Sequence, residues 1–114
     1  MKIYHNPRCK KSRAGLEFLK EKGIDPEIVN YIKDGIGEEE LKDLLIKLNK
    51  EPLEMIRTQE DLYKKQLKGK HFNRDEWIRI MSENPKLIRR PIVVKGYKAV
   101  VGDPPENINK LLNA

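Results

Sequence analysis

The chain is poor in several residue types, and each shortage excludes a class of protein. Its 114 residues include one cysteine, and aromatic residues make up 6% of the chain. A single cysteine excludes an internal disulfide and a cysteine-rich zinc site. No apolar run approaches the ~20 residues that a membrane-spanning helix needs, and the first residues lack the apolar stretch of a secretory signal. We therefore expect a cytoplasmic protein that has no association with a membrane.

The charge of the chain is positive but mixed in sign. Lysine and arginine number 24 and aspartate and glutamate 18, so the net charge is +6. This excess favours anionic partners without identifying one. A nucleic-acid surface needs clustered cations and stacking aromatics, whereas Glu38–Glu40 and Asp61 interrupt the basic residues here. We expect that nucleic acid is not the partner and that a few local cations serve a small oxyanion.

Apolar periodicity predicts the order β-α-β, then a helical block of about fifty residues, then β-β-α. Strands are predicted at residues 2–5 and 27–31, a helix from Ser12 to Gly23, and a hairpin at residues 92–101. The sheet elements on either side of the helical block complete one another. We therefore predict one α/β domain over residues 1–114, a monomer, with an all-helical insertion at about 37–85 between the second and third strands.

Capping signals predict two further helix starts. Asn73 with Glu76 three residues later resembles a capping box, and Trp77, Ile80 and Met81 are expected on one face of the helix that follows. The run Asp103-Pro104-Pro105-Glu106 places a cap before a proline and is expected to open a short terminal helix.

Cys9 occupies the turn between the first predicted strand and the first helix. The free N–H groups and the dipole of a helix N-terminus favour an anion, and Arg8, Lys10, Lys11 and Arg13 add positive charge. These effects favour thiolate over thiol, so we predict that Cys9 has a lowered pKa and acts as a nucleophile. The alternative is a small buried apolar residue, for which charged neighbours on both sides are a poor environment.

The residues around Cys9 add three expectations. Successive N–H groups after Cys9 are expected to form an oxyanion cradle. Ser12 stands where a C-x-x-C motif has its second cysteine, so any redox cycle must use an outside thiol; Ser12 is equally compatible with a helix cap. His5 either raises the thiolate character of Cys9 or is a hydrogen-bonded histidine at the strand end, and spacing does not choose between them. His71 is expected at the surface.

Two motifs identify a family resemblance. The run His5-Asn6-Pro7-Arg8-Cys9-Lys10-Lys11-Ser12-Arg13 resembles the active-site signature of the glutathione- and glutaredoxin-linked arsenate reductases of the ArsC/Spx type. Arg90-Pro91-Ile92-Val93-Val94 resembles the second signature, and the likeness covers the whole chain. The resemblance implies a thioredoxin-like fold with a helical insertion. It also implies that Pro91 is a cis-proline facing Cys9, which brings Arg90 toward the thiol.

The resemblance also implies an activity. Cys9 attacks arsenate or another oxyanion, glutathione serves as co-substrate, and glutaredoxin regenerates the thiol. Arg57 and Arg90 hold the oxyanion as catalytic residues. No tightly bound cofactor and no metal is implied. Residues in a substrate-binding or supporting role are His5, Asn6, Lys10, Lys11, Ser12, Arg13 and Pro91.

The chain departs from the family pattern at one place. The best-defined reductases have a third arginine just past the last hairpin, and the matching position falls on or near Gly102, where no arginine is available. One alternative is therefore a glutathione-dependent thiol–disulfide reductase of unknown substrate, with Gly102 leaving room. Another is an Spx-like regulator that binds RNA polymerase, although Ser12 breaks the C-x-x-C switch of many such proteins. Direct DNA binding is less favoured, because no recognition-helix motif is visible.

Overall fold

The computed structural model describes residues 1–112. Contacts divide the chain into two compact units. One comprises residues 1–34 together with the chain from Arg90 onward, and the other comprises residues 35–89. This division does not test the prediction of a single domain with an insertion at about 37–85, which stays a prediction.

The first unit is built on a four-stranded sheet of order β2-β1-β3-β4. β1 is parallel to β2 and antiparallel to β3, and β3 is antiparallel to β4, with Ile3 opposite both Ile28 and Val93. The predicted order β-α-β, then β-β-α, is confirmed in this unit. Its elements are β1 (Lys2–Tyr4), α1 (Lys10–Glu21), β2 (Glu27–Val29), α2 (Tyr31–Asp34), β3 (Ile92–Lys95), β4 (Lys98–Val101), a 3-10 turn (Pro105–Ile108) and α5 (Asn109–Leu112).

The core of this unit lies between the central strands and the helices. Ile3 of β1, Val93 of β3 and Leu19 of α1 are completely buried, and Ile108 and Leu111 complete the cluster. Burying an apolar side chain of this size stabilises the fold by about 1.5–3 kcal/mol. This cluster therefore holds the two central strands and the first helix together, and two of its members, Ile3 and Leu19, lie on either side of the Cys9 loop in sequence.

Pro91 packs against α1. The Arg90–Pro91 peptide bond is cis, as the resemblance implies. The amide of Gly102 donates to the carbonyl of Pro91 over 2.8 Å. A Cβ added at Gly15 would lie 2.6 Å from Cγ of Pro91, closer than side chains approach, so α1 needs a glycine at this point.

The second unit is helical. Its elements are α3 (Glu38–Leu48), a 3-10 turn (Pro52–Met55), a π-helical turn (Tyr63–Leu67), α4 (Arg74–Glu83) and a 3-10 turn (Pro85–Leu87). The buried leucines of α3 follow helical spacing, at positions 41, 44, 45 and 48. The predicted capping box is confirmed: Glu76 N–H donates to Oδ1 of Asn73 over 2.8 Å, and Asn73 N–H donates to Glu76 over 3.0 Å.

Several predicted boundaries were wrong. β2 ends at Val29 rather than at residue 31, because Asn30 accepts the N–H of Lys33 and opens the short helix α2, in which Tyr31 is buried. The helix predicted from Ser12 starts at Lys10. Within α4, Trp77, Ile78 and Met81 are buried and Ile80 is half-buried.

The predicted cap at Asp103 was also wrong. Pro104 is the residue before the first 3-10 turn, and its carbonyl accepts the N–H of Asn107. The carboxylate of Asp103 pairs with Lys11 instead. Within residues 1–112, no helix combines the length and apolarity that crossing a bilayer requires.

Candidate active site

A tight turn carries the chain from β1 into α1 and presents Cys9. The amide of Cys9 donates to the carbonyl of Asn6 over 3.0 Å, and the amide of Arg8 donates to the Asn6 side chain over 3.0 Å. Cys9 itself is extended, with φ −93° and ψ 123°, and its carbonyl accepts the N–H of Arg13. Cys9 is therefore the N-cap of α1, which confirms its predicted place between strand and helix.

The environment lowers the pKa of the Cys9 thiol. Partial burial works in the opposite direction and raises the pKa, but it is outweighed. The backbone N–H of Ser12, the guanidinium of Arg90 and the backbone N–H of Lys11 all favour the thiolate. The thiol is half-buried and free, so a nucleophilic sulfur is present at the open end of the helix.

The sheet brings Arg90 to Cys9. Ile92 of β3 lies opposite Tyr4 of β1, so the residues just before Ile92 lie beside the loop that follows Tyr4. Arg90 is 9% exposed, and its guanidinium lowers the pKa of the Cys9 thiol by favouring the thiolate. Residues separated by about eighty positions thus meet at one sulfur, as the resemblance implies.

His5 and Ser12 form a buried pair behind the loop. His5 is 6% exposed and Ser12 is completely buried, and Nδ1 of His5 lies 2.7 Å from Oγ of Ser12. Burial, together with the charges of Arg13 and Lys20, holds the pKa of His5 below its usual value, although a hydrogen bond with the backbone of Ser12 raises it. His5 is therefore neutral near pH 7. This favours the reading of a hydrogen-bonded strand-end histidine over that of a cationic neighbour of the thiolate.

Ser12 is not a helix cap. It is the third residue of α1, and Oγ accepts the amide N–H of Asn6 over 2.9 Å. The expectation of a cap was wrong because α1 begins earlier than its apolar spacing suggested, at Lys10.

The cations near Cys9 in sequence do not all serve the sulfur. Lys11 Nζ lies 3.2 Å from a carboxylate oxygen of Asp103, and Arg13 donates to the carbonyl of Pro7 over 3.0 Å. Lys10 is exposed. Stabilisation of the thiolate comes mainly from backbone N–H groups and Arg90 rather than from these side chains.

Arg57 belongs to the helical unit. Its guanidinium lies 2.8 Å from a carboxylate oxygen of Glu60, and both side chains are mostly buried, at 18% and 26% exposure. Its amide donates to the carbonyl of Leu87 over 2.7 Å. The backbone and side chain of Arg57 are thus well fixed, and its role toward an oxyanion stays a prediction.

Gly102 does not leave open room. A Cβ at this position would lie 3.2 Å from both Cδ1 of Ile108 and Cγ of Pro91. The expectation that Gly102 provides free space is therefore wrong, because Pro91 and the terminal 3-10 turn fill the direction that a side chain would take. An arginine at this position would require its neighbours to shift.

Sequence reasoning missed two residues of this region. Gly15 allows α1 to touch Pro91, and a lone glycine inside a helical pattern was the available signal. Asp103 pairs with Lys11 in the first turn of α1, and no local pattern links two residues so far apart in the chain.

Comparisons with known proteins match nearly the whole chain. The model of the ArsC family matches residues 4–111. The chain is 44% identical to the uncharacterized protein YfgD of Escherichia coli K12, over 98% of this chain and 96% of that one. It is 43% identical to an arsenate reductase of Neisseria meningitidis serogroup B, over 98% and 97%. A solved arsenate reductase from Vibrio cholerae, 41% identical, superimposes with a TM-score of 0.90 over 96% and 94%. These matches confirm the predicted thioredoxin-like fold.

Proposed function

The chain belongs to the ArsC family, and from that premise we propose that it is an oxidoreductase that reduces arsenate or a related oxyanion through Cys9. One observation carries the proposal: Cys9 is the N-cap residue of α1, where backbone N–H groups and the Arg90 guanidinium favour its thiolate. A thiolate beside a cation and a helix N-terminus combines a nucleophile with an anion-binding position.

The first step is attack of the Cys9 thiolate on arsenic. A sulfur–arsenic bond forms, one As–OH bond breaks, and the hydroxide leaves as water after taking one proton. Charge on the remaining arsenate oxygens is stabilised by guanidinium groups, whose planar donors match an oxyanion in pairs. The Arg90 guanidinium already favours the Cys9 thiolate. We assign a second guanidinium to Arg57, as the family resemblance implies; in this structure Arg57 pairs with Glu60.

The second step needs an outside thiol, because the chain has one cysteine. Glutathione attacks the Cys9 sulfur, a disulfide forms, and the electron pair of the sulfur–arsenic bond passes to arsenic. Arsenic falls from +5 to +3 and leaves as arsenite, and the two sulfurs together lose two electrons. A glutaredoxin thiol then attacks the glutathione sulfur and releases Cys9. Glutathione is thus a co-substrate, and the scheme uses no bound cofactor.

The proposal is tested with purified chain, glutathione, glutaredoxin, glutathione reductase and NADPH. We expect arsenate-dependent oxidation of NADPH and formation of an equal amount of arsenite. Cys9→Ser sets the background, because serine keeps the helix cap but removes the thiolate. Arsenite formation no greater than in Cys9→Ser contradicts the proposal.

A second candidate is reduction of glutathione mixed disulfides. It is favoured by the carboxylate of Asp103, which lies next to Gly102 and pairs with Lys11 in the region where the reductases have a third cation. A carboxylate there opposes a multiply charged oxyanion more than it opposes a disulfide. Turnover of a glutathionylated peptide without arsenate, and none with arsenate, would favour this candidate.

We also propose that the protein works in the cytoplasm as a monomer. The cytoplasm supplies the reduced glutathione that the second step consumes. Light scattering of the purified chain tests the monomer, and a mass near twice 13.4 kDa would exclude it.

A further inference from the structure

The Ser12 hydroxyl joins the end of β1 to the first turn of α1. It lies 2.7 Å from Nδ1 of His5 and 2.9 Å from the amide nitrogen of Asn6, and Ser12 is completely buried. The hydroxyl oxygen of Ser12, in the first turn of α1, therefore contacts both His5 and Asn6, the two residues at the start of the Cys9 loop.

The direction of each hydrogen bond follows from the groups involved. An amide N–H can only donate, so Oγ of Ser12 accepts the hydrogen bond from Asn6. The hydroxyl proton of Ser12 then needs an acceptor. Within residues 1–112, Nδ1 of His5 is the acceptor in contact with this hydroxyl, and complete burial of Ser12 keeps water away. Nδ1 must therefore carry a lone pair, which places the proton of the neutral imidazole on Nε2.

We propose that Ser12 is a positioning residue that fixes His5 as its Nε2–H tautomer and fastens the Cys9 loop to α1. The same residue supplies the backbone N–H that favours the thiolate. A shift of the Ser12 side chain would therefore also move the backbone N–H that stabilises the Cys9 thiolate. The inference extends the proposed thiol chemistry and rests on it, since Ser12 acts only through Cys9.

The protonation of His5 agrees with this arrangement. A second proton on the ring would sit on Nδ1, where it would oppose the hydroxyl proton of Ser12 across 2.7 Å. The pKa of His5 is lowered by burial and by the charges of Arg13 and Lys20, which outweigh a hydrogen bond with the Ser12 backbone that raises it. The net effect favours the neutral form that the Ser12 hydroxyl requires.

The first test uses the unaltered chain and needs no substrate. Two-bond proton–nitrogen NMR spectra of ¹⁵N-labelled protein distinguish the histidine tautomers. We expect a protonated Nε2 and an unprotonated Nδ1 for His5 at neutral pH. His71, which is exposed, serves as the internal reference for a histidine in water. A proton on Nδ1 of His5 overturns the proposal.

The second test removes the hydroxyl. In Ser12→Ala we expect the single tautomer of His5 to be lost and the alkylation of Cys9 by iodoacetamide at pH 7 to slow by roughly two- to tenfold, the worth of one hydrogen bond. Ser82→Ala is the matched control, because it removes a hydroxyl that donates over 2.6 Å in the helical unit. It should leave both readouts unchanged.

The two variants keep the inference separate from the proposed function. An unchanged alkylation rate in Ser12→Ala overturns the positioning role, whether or not arsenate is reduced. If Ser12→Ala does not fold, the tautomer of His5 measured in the unaltered chain still confirms or overturns the proposal. Neither readout contains an oxyanion or a reductant, so a failure to reduce arsenate bears only on the proposed function.

Discussion

Two helices of this molecule begin in opposite ways. α4 begins with Asn73, whose side chain accepts the N–H of Glu76 while Glu76 accepts the N–H of Asn73, and Asp75 adds a second acid to the first turn. α1 begins with Cys9, which makes no capping hydrogen bond of this kind, and its first turn contains no acid. The positive end of α4 is thus neutralised by its own sequence, whereas that of α1 is not.

This difference in capping separates a helix start that stabilises the fold from one that stabilises an anion. A capping box stabilises a helix by about 1 kcal/mol and occupies the N–H groups of the N-cap residue and of the third helical residue. At α1 the N–H groups of Ser12 and Lys11 instead favour a thiolate. Donors at this helix start are therefore available to a sulfur and to an anion beside it.

Of the substitutions that test this comparison, Cys9→Ser should have the largest effect. Serine is among the best N-cap residues, so α1 would become more like α4, and the free energy of unfolding should rise by up to about 1 kcal/mol. Arsenate reduction should fall to the background rate, since a serine hydroxyl is not ionised near neutral pH. Urea unfolding and the coupled assay measure the two effects. A variant that is both less stable and partly active contradicts this view of the helix start.

Arg90→Ala removes the guanidinium that favours the Cys9 thiolate. Loss of a charge-assisted hydrogen bond costs about 1.5–3 kcal/mol, so turnover with arsenate should fall roughly ten- to a hundredfold. The pH midpoint of Cys9 alkylation should rise. Arg89→Ala is the matched control, because Arg89 is the neighbouring arginine and donates to the carbonyl of Glu54 in the helical unit. Equal losses in both variants would exclude a specific role for Arg90.

Gly15→Ala changes the packing of α1 against Pro91 and leaves the charge of the helix unchanged. Alanine favours a helix by about 1 kcal/mol over glycine, but its Cβ would lie 2.6 Å from Pro91. Overpacking of this kind costs about 1–3 kcal/mol, so we expect a net loss of stability and slower alkylation of Cys9. Thermal unfolding measures the first effect. Glu17→Ala, on the exposed face of the same helix, should change neither, and a stabilised Gly15→Ala would contradict the close contact.

Asn73→Ala should have the smallest effect, and it should change the stability of the fold without changing the reactivity of Cys9. Loss of the cap should lower the free energy of unfolding by about 1 kcal/mol. The rate of Cys9 alkylation should not change, because the groups that favour the thiolate belong to Ser12, Lys11 and Arg90. Chemical unfolding and iodoacetamide kinetics measured on one preparation test both statements. A slower thiol in Asn73→Ala would show that the two helix starts are not independent.

The sequence predicted what depends on neighbours in the chain. The place of Cys9 follows from a strand, a break at Pro7 and a helix, and the capping box at Asn73 and the hairpin at 92–101 are equally local. Boundaries at Val29 and Lys10 were missed, because a side-chain cap at Asn30 and the earlier start of α1 outweigh apolar spacing.

The source of the thiolate's stability was predicted in part. The N–H groups at the start of α1 were expected to favour the thiolate, and they do. The charged side chains near Cys9 were expected to add to this effect, but Lys11 pairs with Asp103 and Arg13 with the carbonyl of Pro7. The donors are backbone N–H groups, which every sequence has, and only the turn directs them to the sulfur. Arg90 was placed near Cys9 by family resemblance, because sheet pairing across so many residues has no local signal.

The pH dependence of Cys9 alkylation tests the central claim most directly. The chain has one cysteine, so the same protein unfolded in urea supplies its own reference, near the value of about 8.5 for a free thiol. Because the folded environment lowers the pKa, the folded chain should stay reactive at pH values where the unfolded chain has become protonated. A midpoint in the folded chain clearly below that of the unfolded chain is the predicted result. Midpoints that coincide, or a higher one in the folded chain, would contradict the account.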